Sequence, residues 1–132
     1  MPYWLMKSEP GEYSWEMMEK DGTTPWEGVR NYQAQNFMKT MKEGDQAFFY
    51  HSVKEKCICG IVEISKEFYK TTDPKFGMVD VRFYKPLQNR VTLAELKENP
   101  VFKGMIMLKQ SRLSVSPVTE EEWNEIIEMS QK

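Results

Sequence analysis

The chain has 132 residues and a formal net charge of -2. That length suits one domain over residues 1–132, with enough chain to bury a core without metals or disulfides. The slightly acidic balance excludes a sequence-blind coat for DNA or RNA, which needs a basic surface, and no apolar run approaches the roughly 18 residues that span a bilayer.

The opening "MPYWLMKSEP" has no basic region followed by a long apolar one, so it reads as part of the fold rather than as a leader. An intracellular protein is expected, cytoplasmic in a bacterium or nuclear in a eukaryote. "PYWLMK" reads as a buried strand closed by Pro10-Gly11. "SWEMMEK" makes a short helix, with Ser14 as N-cap and Gly22 just past its end. "DGTTPWEGVRN" reads as a loop. In "YQAQNFMKTMKEGD", Ala34, Phe37, Met38 and Met41 form one helical stripe, with Asn31 as N-cap and Gly44 as stop.

Three strands follow. "DQAFFYHS" places Phe48, Tyr50 and Ser52 on one face, and Phe49 and His51 on the other. "CICGIVEISKEFY" is long and bends at Gly60. After the turn "TTDPKFG", "MVDVRFYKP" puts Val79, Val81 and Phe83 opposite Asp80, Arg82 and Tyr84. "VTLAELKENP" carries a capping box, Thr92 with Glu95, a staple from Val91 to Leu96, and a stop at Pro100. "MIMLKQSRLSVSPV" gives a short apolar segment and a strand around Leu113 to Val115. The last helix, "VTEEEWNEIIEMSQK", has a capping box of Thr119 and Glu122 and buries Trp123, Ile126 and Ile127. Successive strands without intervening helices favour antiparallel pairing, so an α+β fold is expected: a curved antiparallel sheet or partly open barrel with helices at its ends.

The two cysteines, Cys57 and Cys59, are spaced to share a strand face, where a disulfide between them would be strained. With a single His, the soft ligands are too few for zinc, and no metal or cofactor is expected. Enzyme signatures are absent: no phosphate loop, no HExxH, no nucleophile elbow. No residue is assigned as catalytic.

Polar and aromatic groups cluster at predicted strand ends instead: Lys7 and Ser8 after the first strand, Trp26 to Tyr32 before a helix, Tyr50, His51 and Ser52, and Arg112 in "KQSRLSV". Each has a plain alternative. Trp26 covers a core edge, Arg30 pairs with an acid, Asn31 only caps, and His51 is a satisfied half-buried group. If the clusters share a pocket, aromatics stack on a planar ring, Asn, Ser and His read its edge, and Lys7, Arg30 or Arg112 meets a phosphate. The acidic net charge fits one flipped or unpaired base better than a long duplex footprint. Two rivals stand beside a nucleic-acid-binding monomer: a hydrolase acting on RNA or a nucleotide through Lys7, Glu9 and His51, and a small-metabolite or protein-interaction module.

"YWLMKSEP", "WEGVRNYQAQNF", "GDQAFFYHS" and "LKQSRLSVSPVTEEEW" resemble the EVE domain family, in order, from Tyr3 to about Ile127. The resemblance implies a PUA-like fold, a bent and mostly antiparallel β-barrel with flanking helices, related in shape to the YTH and ASCH domains. It also implies nucleic-acid binding, with modified cytosine in DNA or RNA the favoured ligand. By similarity, Lys7 and Ser8 stand beside the pocket, and Trp26, Val29, Asn31 and Tyr32 form its base-facing wall. Tyr50, His51 and Ser52 line the facing strand, with Arg112 near the rim. The chain departs from the family pattern at Gln35, often Arg, at Phe76, where a Trp is frequent, and in a short loop near Asp73.

Overall fold

A computed structural model describes residues 2–132, leaving Met1 of the expected domain outside the described residues. The elements run β1 (Tyr3–Ser8), α1 (Trp15–Asp21), β2 (Thr23–Trp26), α2 (Tyr32–Thr40), β3 (Gln46–His51), β4 (Cys57–Tyr69) and β5 (Met78–Thr92). Then come α3 (Leu93–Glu98), a 3-10 turn (Pro100–Phe102), α4 (Ile106–Lys109), β6 (Val115–Val118) and α5 (Glu120–Ser130). One six-stranded sheet has the order β2-β5-β4-β3-β1-β6. Among the described residues, only the β1–β3 pair is parallel; the rest are antiparallel. β2 and β6 lie at opposite edges, so the sheet stays open and the expected barrel is not closed.

The sheet is buried on both faces, and strand alternation divides the core in two. Trp4, Met6, Ala47, Phe49, Cys57 and Cys59 point into one cluster with Trp15, Trp26, Ala34 and Met38. Leu5, Phe48, Tyr50 and Ile58 point into the other with Leu96, Phe102, Trp123 and Ile126. The parity reverses within β4, because Ile61 joins the second cluster while Val62 and Ile64 join the first. The cause is a bulge: Phe49 pairs with Gly60 and Tyr50 with Ile58, leaving Cys59 unpaired. Gly60 therefore turns toward the first core, where the Trp15 ring fills the space a Cβ would need.

The sequence reading differs from the structure at element ends. Thr23–Trp26, read as loop, is an edge strand paired with Val79–Arg82. Pro25 is tolerated there because an edge position needs no N–H on its solvent side. α2 stops at Thr40 rather than running to Gly44; Gly44, at φ +92, forms a turn that donates its N–H to Ile64 O at 2.8 Å. β5 continues past Pro86, which sits opposite Gly60 where the register is irregular and a missing N–H costs little. β6 begins at Val115, so Leu113 packs in the core ahead of it.

Both predicted capping boxes form, with Thr92 accepting from Glu95 N and Thr119 from Glu122 N. Trp123 is stacked between Tyr3 at 4.2 Å and Phe48 at 3.8 Å, which docks α5 on the second core.

Adding one methyl at Gly60 should be costly, because the new Cβ would meet the Trp15 ring and come within 2.9 Å of Lys85 O. Gly60→Ala is expected to lose about 1–3 kcal/mol by chemical denaturation, and markedly less in a Trp15→Leu background.

Candidate functional site

The segment Trp26–Tyr32 is built as a turn between β2 and α2. Gly28 reverses the chain at φ +81, a conformation that L side chains rarely adopt. Val29 then turns inward and is buried. Asn31 caps α2, its Oδ1 accepting from Ala34 N at 2.9 Å. Gln35, one turn into the helix and 2% exposed, ties this turn to the β4–β5 loop. Its Nε2 donates to Val29 O and to Gly77 O, both at 2.9 Å, and its Oε1 accepts from Gly77 N at 3.0 Å. Gln35 is thus a backbone clamp in this chain.

Outside the clamp, Arg30 bonds Asp73 at 2.5 Å and lies over the Phe76 ring, 5.4 Å from its centroid. Tyr32, 63% exposed, packs against Phe76 at 5.2 Å. Between the turn and the loop lies an open cavity of about 340 Å³, lined by Gly28, Val29, Arg30, Asp73, Phe76 and Gly77 among others. Asp73 is held below the usual carboxylate range, first by the N–H groups of Lys75 and Phe76 and then by Arg30.

Lys7, Tyr50 and Ser52 meet in a second cavity, of about 170 Å³, where the parallel strands β1 and β3 end. Lys7 Nζ donates to Ser111 O at 2.8 Å and sits 5.8 Å from the Tyr50 ring centroid. Burial lowers the Lys7 pKa and, with Cys57 adding a smaller push, drives the Tyr50 hydroxyl up to about 12. Ser8 acts as a local staple: its Oγ donates to Tyr13 O at 2.5 Å and its carbonyl accepts from Ser52 N at 2.9 Å. Arg112 is exposed, next in the chain to the cavity-lining Ser111.

Trp26 and His51 belong to neither cavity. Trp26 is 7% exposed and stands edge-on to Phe49, with centroids 5.5 Å apart, so its indole covers the core edge. His51 is 1% exposed, and its Nε2 accepts the Trp15 N–H at 3.0 Å, pinning the start of α1 to β3. Burial, followed by the charge of Arg90, lowers its pKa. Because β3 alternates, Tyr50 and His51 face opposite cores.

His51 also lies with Cys57 and Cys59 in a group whose donor atoms fall within 4.8 Å of one another. The Sγ atoms are 3.9 Å apart and the thiols are free. The Cys59 thiol lowers the Cys57 pKa to about 7, and the same contact raises that of Cys59. With the Nε2 lone pair taken by Trp15, a neutral His51 carries its proton on Nδ1, which leaves two thiols rather than a ready set of metal donors.

The structure thus brings together Val29, Arg30, Asn31 and Tyr32 at one place and Lys7, Tyr50 and Ser52 at another. Phe76 and Asp73, noted in the sequence only as departures, complete the first. Lys56 and Lys97, which line the second, gave no sequence signal, because isolated lysines on a turn and a helix look like ordinary surface.

Two predictions test the turn. Gln35→Ala removes three hydrogen bonds to buried backbone and should cost about 1–3 kcal/mol in chemical denaturation. Since the folded-state pKa of Asp73 lies below its usual value, its contribution is fully present above the unfolded pKa and is lost as pH falls through the folded one. NMR titration should find that pKa below 3.8. It should move up in Arg30→Ala while staying depressed, since the two N–H bonds remain.

Comparison with known proteins fits this architecture. The EVE domain family model matches residues 2–129. Human thymocyte nuclear protein 1 is 36% identical, the match covering 98% of this chain and 74% of the human one. A crystal structure of a protein from Agrobacterium tumefaciens is 43% identical, with a TM-score of 0.96, over 98% of this chain and 93% of that one. The crystal structure of human THYN1 protein in complex with DNA containing 5-methylcytosine is 36% identical, with a TM-score of 0.93, over 100% of this chain and 99% of that one. With its family model matched over nearly its whole length, this chain belongs to the EVE domain family.

Proposed function

We propose that this protein is a nucleic-acid-binding module that takes a modified or unpaired base in the cavity between the Trp26–Tyr32 turn and the β4–β5 loop. 5-Methylcytosine in DNA is the favoured ligand. The observation that carries this reading is the human relative of the same fold, determined with DNA containing that base.

The local geometry supports it. A volume of about 340 Å³ falls within the roughly 300–1,000 Å³ of small-ligand sites. Phe76 lines the cavity and offers aromatic surface for stacking, the exposed Tyr32 packs against Phe76, and Arg30 offers a guanidinium beside it. Val29 supplies an apolar contact suited to a methyl group. The Gln35 clamp holds both walls, so little ordering is needed on binding.

Binding is favoured over hydrolysis because His51, the one imidazole, is buried with Nε2 engaged by backbone. A general base needs a lone pair within reach of its substrate.

Titration of matched DNA and RNA oligonucleotides, with cytosine or 5-methylcytosine at one position, tests the proposal. The methylated DNA should bind more tightly, and Tyr32→Ala should weaken it by about 5- to 150-fold, the equivalent of roughly 1–3 kcal/mol of stacking. Equal affinity for both bases, unchanged in Tyr32→Ala, would sink the idea.

A further inference from the structure

The second cavity has a chemistry of its own. Lys7, Lys56 and Lys97 reach it from three separate segments: the end of β1, the turn before β4 and the last turn of α3. Among the described residues, no carboxylate lines it. Among the described residues, none of the three lysines joins an ion pair, although acids outnumber bases in the chain by 20 to 18. Glu55, the one acid of the 52–56 turn, is directed to Arg90 instead. Lys7 is half-buried, and its one oxygen partner is the Ser111 carbonyl, which leaves its charge without a counter-charge. Ser52 and Ser111 bring hydroxyls to the wall, while Tyr50, Leu93, Met107 and Leu108 make the rest aromatic and apolar.

Three ammonium groups with no acid among them form a focus of positive potential in an otherwise acidic protein. Such a site has no reason to stay free of anions, and its apolar wall suits a ligand with a flat or greasy body behind the charge. A dianionic phosphomonoester suits three lysines better than the single charge of an internal phosphodiester. The adjoining turn is unusually shaped for its sequence. Val53 lies at φ +68, rarely seen for a β-branched residue, and at 62% exposure stands at the cavity mouth.

We infer that the cavity bounded by Lys7, Lys56 and Lys97 is a phosphomonoester site, filled by the phosphorylated end of a nucleic-acid strand or by a free nucleotide. It is separate from the base cavity and stands or falls without it. The full-length protein is titrated by NMR with cytidine and with cytidine 5′-monophosphate. In parallel, an unmodified oligonucleotide is compared with either a 5′-phosphate or a 5′-hydroxyl end. The same ligands are then offered to Lys56→Gln, Lys97→Gln and the double variant. Both lysines are exposed, so the backbone spectrum should be unchanged.

Cytidine 5′-monophosphate is expected to bind at least about tenfold more tightly than cytidine, a gap the double variant abolishes. A matching gain for the 5′-phosphorylated oligonucleotide identifies a strand end as the source; a gain confined to the mononucleotide identifies a free nucleotide. Equal binding of nucleoside and nucleotide, or a gap that survives the double variant, would overturn the assignment. Preference for 5-methylcytosine, read on 5′-hydroxyl oligonucleotides, should persist in the double variant, so failure of either proposal is seen separately.

Discussion

Phe49 is the contact on which the rest of the structure hangs. It is fully buried at the centre of β3 and meets Trp15 edge-on at 5.3 Å, Trp26 edge-on at 5.5 Å and the His51 ring at 5.8 Å. Those three partners come from α1, β2 and β3 itself. One ring therefore fixes the first helix over the sheet and sets the edge strand that feeds the Trp26–Tyr32 turn. Edge-to-face geometry makes the contact directional, so it positions the segments as well as burying them. The bulge at Cys59 is part of the same arrangement, because it turns Gly60 toward Trp15 and leaves the indole room to lie against the strand.

Both cavities follow from this frame. With both sheet faces covered, the places left for a ligand are strand ends and the loops beyond them. At one, a buried amide stitches turn to loop, and charge is handled outside the stitch by the Arg30–Asp73 pair. At the other, parallel strands end side by side, and no acid answers the lysines. The overall charge of -2 hides this contrast, since it averages over a surface on which the acids lie elsewhere.

Much of the fold was legible because local physics governed it. The caps at Ser14, Asn31, Thr92 and Thr119 form as their side chains dictate, and the apolar stripe of α2 packs as its spacing requires. Thr23–Trp26 was not legible as strand, since a short edge segment with a Pro has no periodicity and is defined only by its partner β5. Among the site residues, Arg30 and Asn31 take the ion-pair and capping roles that their plain readings allowed, and Arg30 also lines a cavity. Trp26, in a segment read as loop, and Tyr50, near the end of a predicted strand, both read in the sequence as aromatics of one pocket. The alternation of β3 against the edge position of β2 sends them to different cores.

By itself, the sequence determined the α+β class, the starts of α1, α2, α3 and α5, the alternation of β3 and the family, because each rests on neighbours within a few residues or on long ordered motifs. Only the tertiary structure decided that the sheet stays open, that Gln35 ties Val29 to Gly77, a residue 42 positions beyond Gln35 in the chain, and that three lysines share one cavity. Those features depend on which distant segments meet, and side-chain spacing along a single strand or helix carries no information about that.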